Sequence, residues 1–416
     1  MSRINVCDSI MGSGKTSAAI KFINDHKDQK IIYCTPFIKE ISRIREECPH
    51  IKEPTEDNIA GTKGMDFINL LKRGESIAVT HELFKHLRIT DSILKLITDS
   101  EYTLILDEMI DVVEKIKISS HDMKGIMQYC VVEEGTKKVY WTDDSYTGRY
   151  DIYKRFIKSK TVIQYKSNIL LWLFPVSLIR AFTQVHILTF MFEGSCLERY
   201  LTINGFSYDM YYVQNGELKK GRQPLEVEKE HIRSLLHIYS GKLNDIGDNM
   251  NALCLKWWTR KANSDKRKKA FNNADNYIRN IDGSGRSTLI WTMFKLGRKS
   301  KANPSIKGRW AKRFCPCNAR ATNDWRECTT LVYLANIYPD VAVQSWFRDH
   351  HYEIDEDQYA LSTQLQWIWR SAIREGKEVN LYIPSRRMRE KLENWLEGDK
   401  FDKSTSDKPD FADAIA

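Results

Sequence analysis

The chain has 416 residues, room for two or three domains of ordinary size, and its 42% hydrophobic content excludes a disordered chain. Lys and Arg outnumber Asp and Glu by 64 to 55, and the net charge of +9 favours a polyanionic partner such as nucleic acid. The opening MSRINVCDSI builds no signal-peptide core, and the most apolar stretch, 169–174, is too short to cross a bilayer, so no membrane role is expected.

Residues 4–7 read as a buried strand and 17–23 have helical spacing. Between them runs Ser9-Ile10-Met11-Gly12-Ser13-Gly14-Lys15-Thr16. A strand, a glycine-bearing loop ending in Gly-Lys-Thr, and a helix make a P-loop, or Walker A, arrangement. Gly12 and Gly14 let the backbone curl so that its N–H groups face a phosphate, and the helix start adds its dipole. Ser9, Gly12, Ser13, Gly14, Lys15, Thr16 and Ser17 are the expected ATP-binding set. Lys15 is expected to reach the β- and γ-phosphates, and the Thr16 hydroxyl to hold Mg²⁺. Ser9 stands where the pattern usually opens with Gly or Ala.

Residues 30–34 read as a second strand ending at Thr35-Pro36, and 38–47 as a helix with Ile38, Ile41 and Ile44 on one face. A third strand is expected at 76–80, followed by a helix over 81–87, and a fourth at 102–106. The fourth runs directly into Asp107-Glu108. An apolar strand ending in two carboxylates reads as Walker B, with Asp107 on Mg²⁺ and Glu108 polarising the attacking water. Alternating strands and helices imply a mainly parallel α/β sheet, whose ligands sit beyond the carboxyl ends of the strands. The P-loop, Thr35, Pro36, Thr80, Asp107 and Glu108 all fall there.

The pattern lapses over 116–165, read as an insertion with antiparallel character, and resumes with a strand at 185–190. Thr189-Phe190-Met191 stands where a sensor of the γ-phosphate is expected. Gly, Pro and charge mark a linker over 206–228. Residues 256–279 are expected to form a helix with a cationic face, 289–294 and 378–383 to form strands, and 340–343 to form a weaker one. Nine cysteines in irregular positions argue against a disulfide framework and fit a reducing, cytoplasmic setting. Cys315, Cys317 and Cys328 match no common zinc spacing. Arg370 and Arg374, four apart, are expected to share a helix face, either as ion-pair partners or as fingers that meet an anion.

Taken together, SIMGSGKT, TPFIKE, THELF, LILDE, LTFMFEGS, IWTMF, NARATND and QWIWRSAIR resemble motifs I to VI of superfamily 2 DExx-type helicases. The wider phrases FEGS, NARATN, WIWRSAIR and YIPSRRMR resemble the compact helicases encoded by phages, and the likeness reaches residue 396. The resemblance implies two RecA-like domains of the P-loop NTPase type, at 1–205 and 229–396, with ATP between them and a flexible tail over 397–416. It implies ATP hydrolysis, with Gln366, Arg370 and Arg374 acting beside Lys15 and Glu108. It also implies a nucleic-acid track, with single-stranded DNA favoured over RNA and RNA left open, held by Thr35, Pro36, Thr80, Asn318 and Arg320. Work in the host cytoplasm during phage replication or recombination, beside the proteins of those processes, is the expected setting. Motif II reads DEMI, and Thr189-Phe190-Met191 replaces the usual Ser-Ala-Thr of motif III. In motif VI Trp369 replaces Gly and Arg374 lies one position late. Two other readings stay open. One is a terminase-type motor, which needs nuclease carboxylates that only Glu353, Asp355, Glu356 and Asp357 offer. The other is a scaffold or partner-activated ATPase that unwinds nothing.

Overall fold

The computed structural model describes residues 2–56, 61–159, 161–283, 287–295, 310–317 and 325–398. The chain forms two compact units, the first taking in 1–223 and 338–366, the second built from stretches between 224 and 337 and from 367 on.

Short apolar runs make the first unit's sheet. Its strands are β1 (Arg3–Asp8), β2 (Ile31–Thr35), β3 (Ile77–Thr80) and β4 (Thr103–Asp107). An insertion follows, with β5 (Val113–Lys115), β6 (Cys130–Val132), β7 (Val139–Trp141), β8 (Thr161–Tyr165) and β9 (Ile169–Leu173). The sheet then resumes with β10 (Gln184–Thr189), β11 (Tyr208–Gln214) and β12 (Glu217–Lys220). Strand order is β12-β11-β1-β10-β4-β2-β3, parallel except for the β11–β12 hairpin. β2 and β4 are buried along their whole length, as strands covered by helices on both faces must be. The expected parallel α/β architecture is present.

The insertion has its own small core. Ile126, Val139, Trp141, Ile157, Val162 and Leu170 pack together, apart from the main core around Leu104, Val185 and Ile187. Its strands pair antiparallel, β5 and β8 on β9 and β6 on β7. The antiparallel reading holds, and the pairing carries the insertion on to Leu173 rather than stopping at 165.

Three expectations change. Part of the expected linker over 206–228 is the β11–β12 hairpin, because Ile4 to Cys7 of β1 pair with Tyr208 to Tyr211. The weak strand at 340–343 is instead the start of the helix Val341–Asp349, because the Asp340 carboxylate accepts from the Ala342 and Val343 amides and caps it. That helix and the segment after it belong to the first unit, where Ala342, Val343, Trp346, Phe347 and Ile354 enter the main core. The boundary expected near 229 therefore does not confine 338–366 to the second half.

The second unit holds a parallel sheet in the order β13-β16-β15-β14, from β13 (Leu236–Ile238), β14 (Leu289–Thr292), β15 (Thr330–Tyr333) and β16 (Val379–Tyr382). The expected cationic segment is a short helix, Leu255–Thr259, then the longer Ser264–Asn276. Trp258 anchors it in the core, its indole N–H donating to the Leu334 carbonyl at 3.1 Å.

Packing of Phe347 in the first unit gives a test. Phe347→Ala should cost about 3–5 kcal/mol in denaturant unfolding followed by probes in the first unit. Val341→Ala, on the exposed side of the same helix, should stay within about 0.5 kcal/mol.

Candidate nucleotide and phosphate site

The site is built where β1, β4 and β10 end. After Asp8 the chain leaves β1 and turns through Gly12 and Gly14, both at positive φ, into the helix Lys15–Asp25. Gly14 sits in the left-handed region at φ 91°, where an L side chain is strained. The Gly14 carbonyl accepts from the Ala18 amide at 2.9 Å, so the helix begins at the loop's last glycine.

Ser9 is fully buried, and its role explains why it replaces Gly or Ala. Its hydroxyl accepts from the Val213 amide of β11 at 2.8 Å, and its amide donates to the Thr189 carbonyl at 2.9 Å. The base of the loop is thereby pinned to strands on both sides. Gln223 accepts from the Ile10 amide at 2.9 Å and fixes the next residue. The Lys15 ammonium is buried and donates to the carbonyls of Ser9 at 2.6 Å and Ile10 at 3.0 Å. Ser17 is exposed and its hydroxyl accepts from Arg43.

Asp107 ends β4 directly across from the loop. Its Oδ2 accepts from the Tyr33 hydroxyl at 2.6 Å and lies 3.4 Å from Thr16 Oγ1. The second distance is long for a hydroxyl–carboxylate hydrogen bond and suits two oxygens that share a cation or its water. Burial pushes the Asp107 carboxyl above the usual range, against the opposing pull of the Tyr33 hydrogen bond and the Lys15 charge. Tyr33 was not foreseen as a site residue. Its only signal was a hydroxyl-bearing ring inside an otherwise apolar strand, Ile31-Ile32-Tyr33-Cys34.

Glu108 takes φ 69°, rare for a non-glycine residue, while its amide continues the sheet by donating to Leu188 at 2.8 Å. That conformation is strained for a residue with a Cβ and persists because the surrounding strands fix it. Gln366, 258 residues away in sequence, lies on the helix Glu356–Ile368 and places its amide nitrogen 3.4 Å from Glu108 Oε2. Asp8 was also missed. Its carboxylate accepts from the Phe192 amide at 3.0 Å, tying the start of the P-loop to the loop after β10, and burial raises its proton affinity.

Thr35 and Thr80 stand side by side in register at the ends of β2 and β3. Thr35 is fully buried, Pro36 is half-buried, and the Thr80 hydroxyl caps the helix His81–His86 by accepting from Leu83. Arg370 and Arg374 do not share a helix. The helix ends at Ile368, where the Ser371 hydroxyl donates to the Ile368 carbonyl. Arg370 lies in the turn, and Arg374 is exposed in a short 3₁₀ segment within Ala372–Glu375. Asn318 and Arg320 lie outside the described residues. Cys315 and Cys328 are buried, and among the described residues no three His, Cys, Asp or Glu side chains gather as a metal cluster.

The donors present fit a triphosphate with its divalent cation. Besides the Thr16–Asp107 oxygen pair and the buried Lys15 ammonium, the Ser13 hydroxyl oxygen is buried in the loop with no partner among the described residues. A phosphate oxygen placed there would accept from it.

A raised Asp107 pKa has a definite sign for stability. The folded state holds that proton more tightly than the unfolded chain. The ionised carboxylate therefore costs stability above its folded pKa, and the cost fades as pH falls to the ordinary carboxylate range. Asp107→Asn should raise the unfolding midpoint at neutral pH, with the gain vanishing on acidification, as thermal unfolding across a pH series will read.

The chain has 11% identity to S. tokodaii Xpd4, with a TM-score of 0.42 over 96% of this chain and 95% of that one. It has 10% identity to an XPD helicase, with a TM-score of 0.41 over 92% of each chain. The family described as the YonV C-terminal Rossmann-like domain matches residues 230–396. The SPbeta prophage-derived protein YonV of Bacillus subtilis strain 168 is 37% identical over 418 residues, spanning 96% of this chain and 100% of that protein. Identity at that level over nearly all of both chains is that of one lineage: the chain belongs to the YonV family.

Proposed function

We propose that this protein is an ATP-driven nucleic-acid motor, a helicase or translocase acting on single-stranded DNA. The observation that carries the reading is the gathering of Lys15, Thr16, Asp107 and Glu108 at adjoining strand ends, with Gln366 brought to Glu108 from far along the chain. The prophage origin of YonV supports a phage task in replication or recombination, in the host cytoplasm and beside the proteins of those processes.

In this reading the amides of Gly12 to Thr16 and the Ser13 hydroxyl hold the β- and γ-phosphates. Lys15 gives up its two carbonyl partners to pair with them. Mg²⁺, held by Thr16 and Asp107, would offset phosphate charge. Glu108 orients a water for attack on the γ-phosphate and accepts its proton, and Gln366 sets the rotamer of Glu108. Arg370 and Arg374 are assigned to the charge that develops on the transferred phosphoryl group. Thr35, Pro36, Thr80, Asn318 and Arg320 are assigned to the strand. Because Thr35 is buried and the Thr80 hydroxyl is spent on a cap, those two act through backbone amides at the strand ends. Such contacts read phosphates, so sequence preference is weak and salt dependence strong.

The test is ATP hydrolysis by the purified protein with and without single-stranded DNA, RNA and duplex DNA. Single-stranded DNA should stimulate the rate most. Lys15→Ala should lower it by at least about 100-fold, and Glu108→Gln by about 10²–10⁴-fold. Hydrolysis indifferent to every nucleic acid would sink the motor reading.

A further inference from the structure

Where the insertion meets the main sheet, a cleft of about 400 Å³ opens within the first unit. Its walls include Phe84, Tyr140, Trp141, Trp172 and Phe174. Alternation along β7 decides how they are used. Val139 and Trp141 turn into the insertion's core, and Tyr140 between them stays 43% exposed. The Lys138 ammonium lies 5.1 Å from the centre of the Tyr140 ring, so a cation and an aromatic face are presented together.

The charges lining the cleft are three lysines, Lys85, Lys138 and Lys158, and one carboxylate, Asp91. Lys85 is engaged. Its buried ammonium pairs with Asp111 and Glu114 and lies 5.4 Å from the Trp172 ring, so it braces the floor. Lys158 pairs with Asp144 at 2.5 Å, but both side chains are exposed, and such a pair exchanges readily for another anion. Over 116–165 the insertion carries nine Lys and Arg against six Asp and Glu. One end of the cleft is the helix His81–His86, which starts at Thr80 on the strand-end edge where β2 and β3 lie in register. The cleft thus continues the edge assigned above to phosphate contacts.

We infer that this cleft holds unpaired bases of a single nucleic-acid strand, with Tyr140 as the stacking face and Lys138 and Lys158 on the adjacent phosphates. The inference rests on the motor reading and gives the insertion its task. An exposed aromatic ring beside lysines accepts any base, because every base offers a π-face, whereas a peptide or small metabolite would call for directional polar groups.

The experiment measures binding of a fluorescein-labelled oligothymidylate by anisotropy across a salt series. It is paired with quenching of a 2-aminopurine placed within a single strand. Tyr140→Ala should weaken binding about 5- to 100-fold and abolish the quenching, while Tyr140→Phe restores both. Lys138→Ala should reduce the slope of log affinity against log salt by about one. Unfolding midpoints of the three variants should match the wild type, since both side chains lie at the rim. Wild-type binding with equal affinity, equal salt slope and equal quenching in the variants overturns the cleft assignment alone. A wild-type protein that binds no nucleic acid overturns the motor reading beneath it.

Discussion

One buried carboxylate organises the first unit. Asp107 sits at the end of a strand with no exposed residue, where an ionised group is costly unless it is held by donors or a cation. The Tyr33 hydroxyl supplies one donor, Thr16 stands just too far to be a good second, and Lys15 is near enough to lower the carboxylate's proton affinity. Such a group is expensive for the fold, and each donor it meets offsets part of that cost. The strands around it are placed to meet that requirement: β2 pairs directly with β4 and brings Tyr33, β1 leads through the loop to the helix carrying Thr16, and β10 lies between β1 and β4.

The same economy of backbone bonds holds the P-loop in shape. Ser9 faces two directions, its amide to β10 and its hydroxyl to β11, while Asp8 reaches the loop after β10. Buried backbone donors must find partners, and here they lie on β10, on β11 and in the loop after β10. A displacement of the loop after β10 is therefore felt at the base of the P-loop through short, direct bonds. The helix Glu356–Ile368 joins in at both ends. Gln358 donates to the carbonyls of Met191 and Glu193, and Gln366 meets Glu108. A rigid helix that touches the β10 loop at one end and the strained Glu108 at the other links the ends of β10 and β4.

The insertion follows a different rule. It closes as antiparallel pairs, with the helices Ser120–Met127 and Asp151–Ser159 adding Ile126 and Ile157 to a core of Trp141, Val162 and Leu170, and meets the main core along one side. Two separate cores in one unit leave a seam, and the seam is the aromatic cleft.

Much was legible in the order of residues alone. Apolar runs of four to six residues ending in Thr35, Thr80, Asp107 and Thr189 located the parallel strands, and Gly12 and Gly14 before Lys15-Thr16 located the turn from β1 into the first helix. These signals are local, fixed by side-chain period and by the φ that glycine permits. Tyr33, Asp8, Gln223 and the hydroxyl of Ser9 were not legible, since each matters only through a partner 74 to 213 residues away or across a strand. The helix Val341–Asp349 shows the same limit. Its first residues read as a weak strand, the Asp340 cap emerged only in the folded chain, and its packing in the first unit depended on which apolar surface lay open when the chain returned. Sequence set the local geometry of the strands and the loop. Tertiary packing decided which polar groups met, because a buried hydrogen bond needs both partners placed to within a few tenths of an ångström, and only the folded sheet provides that.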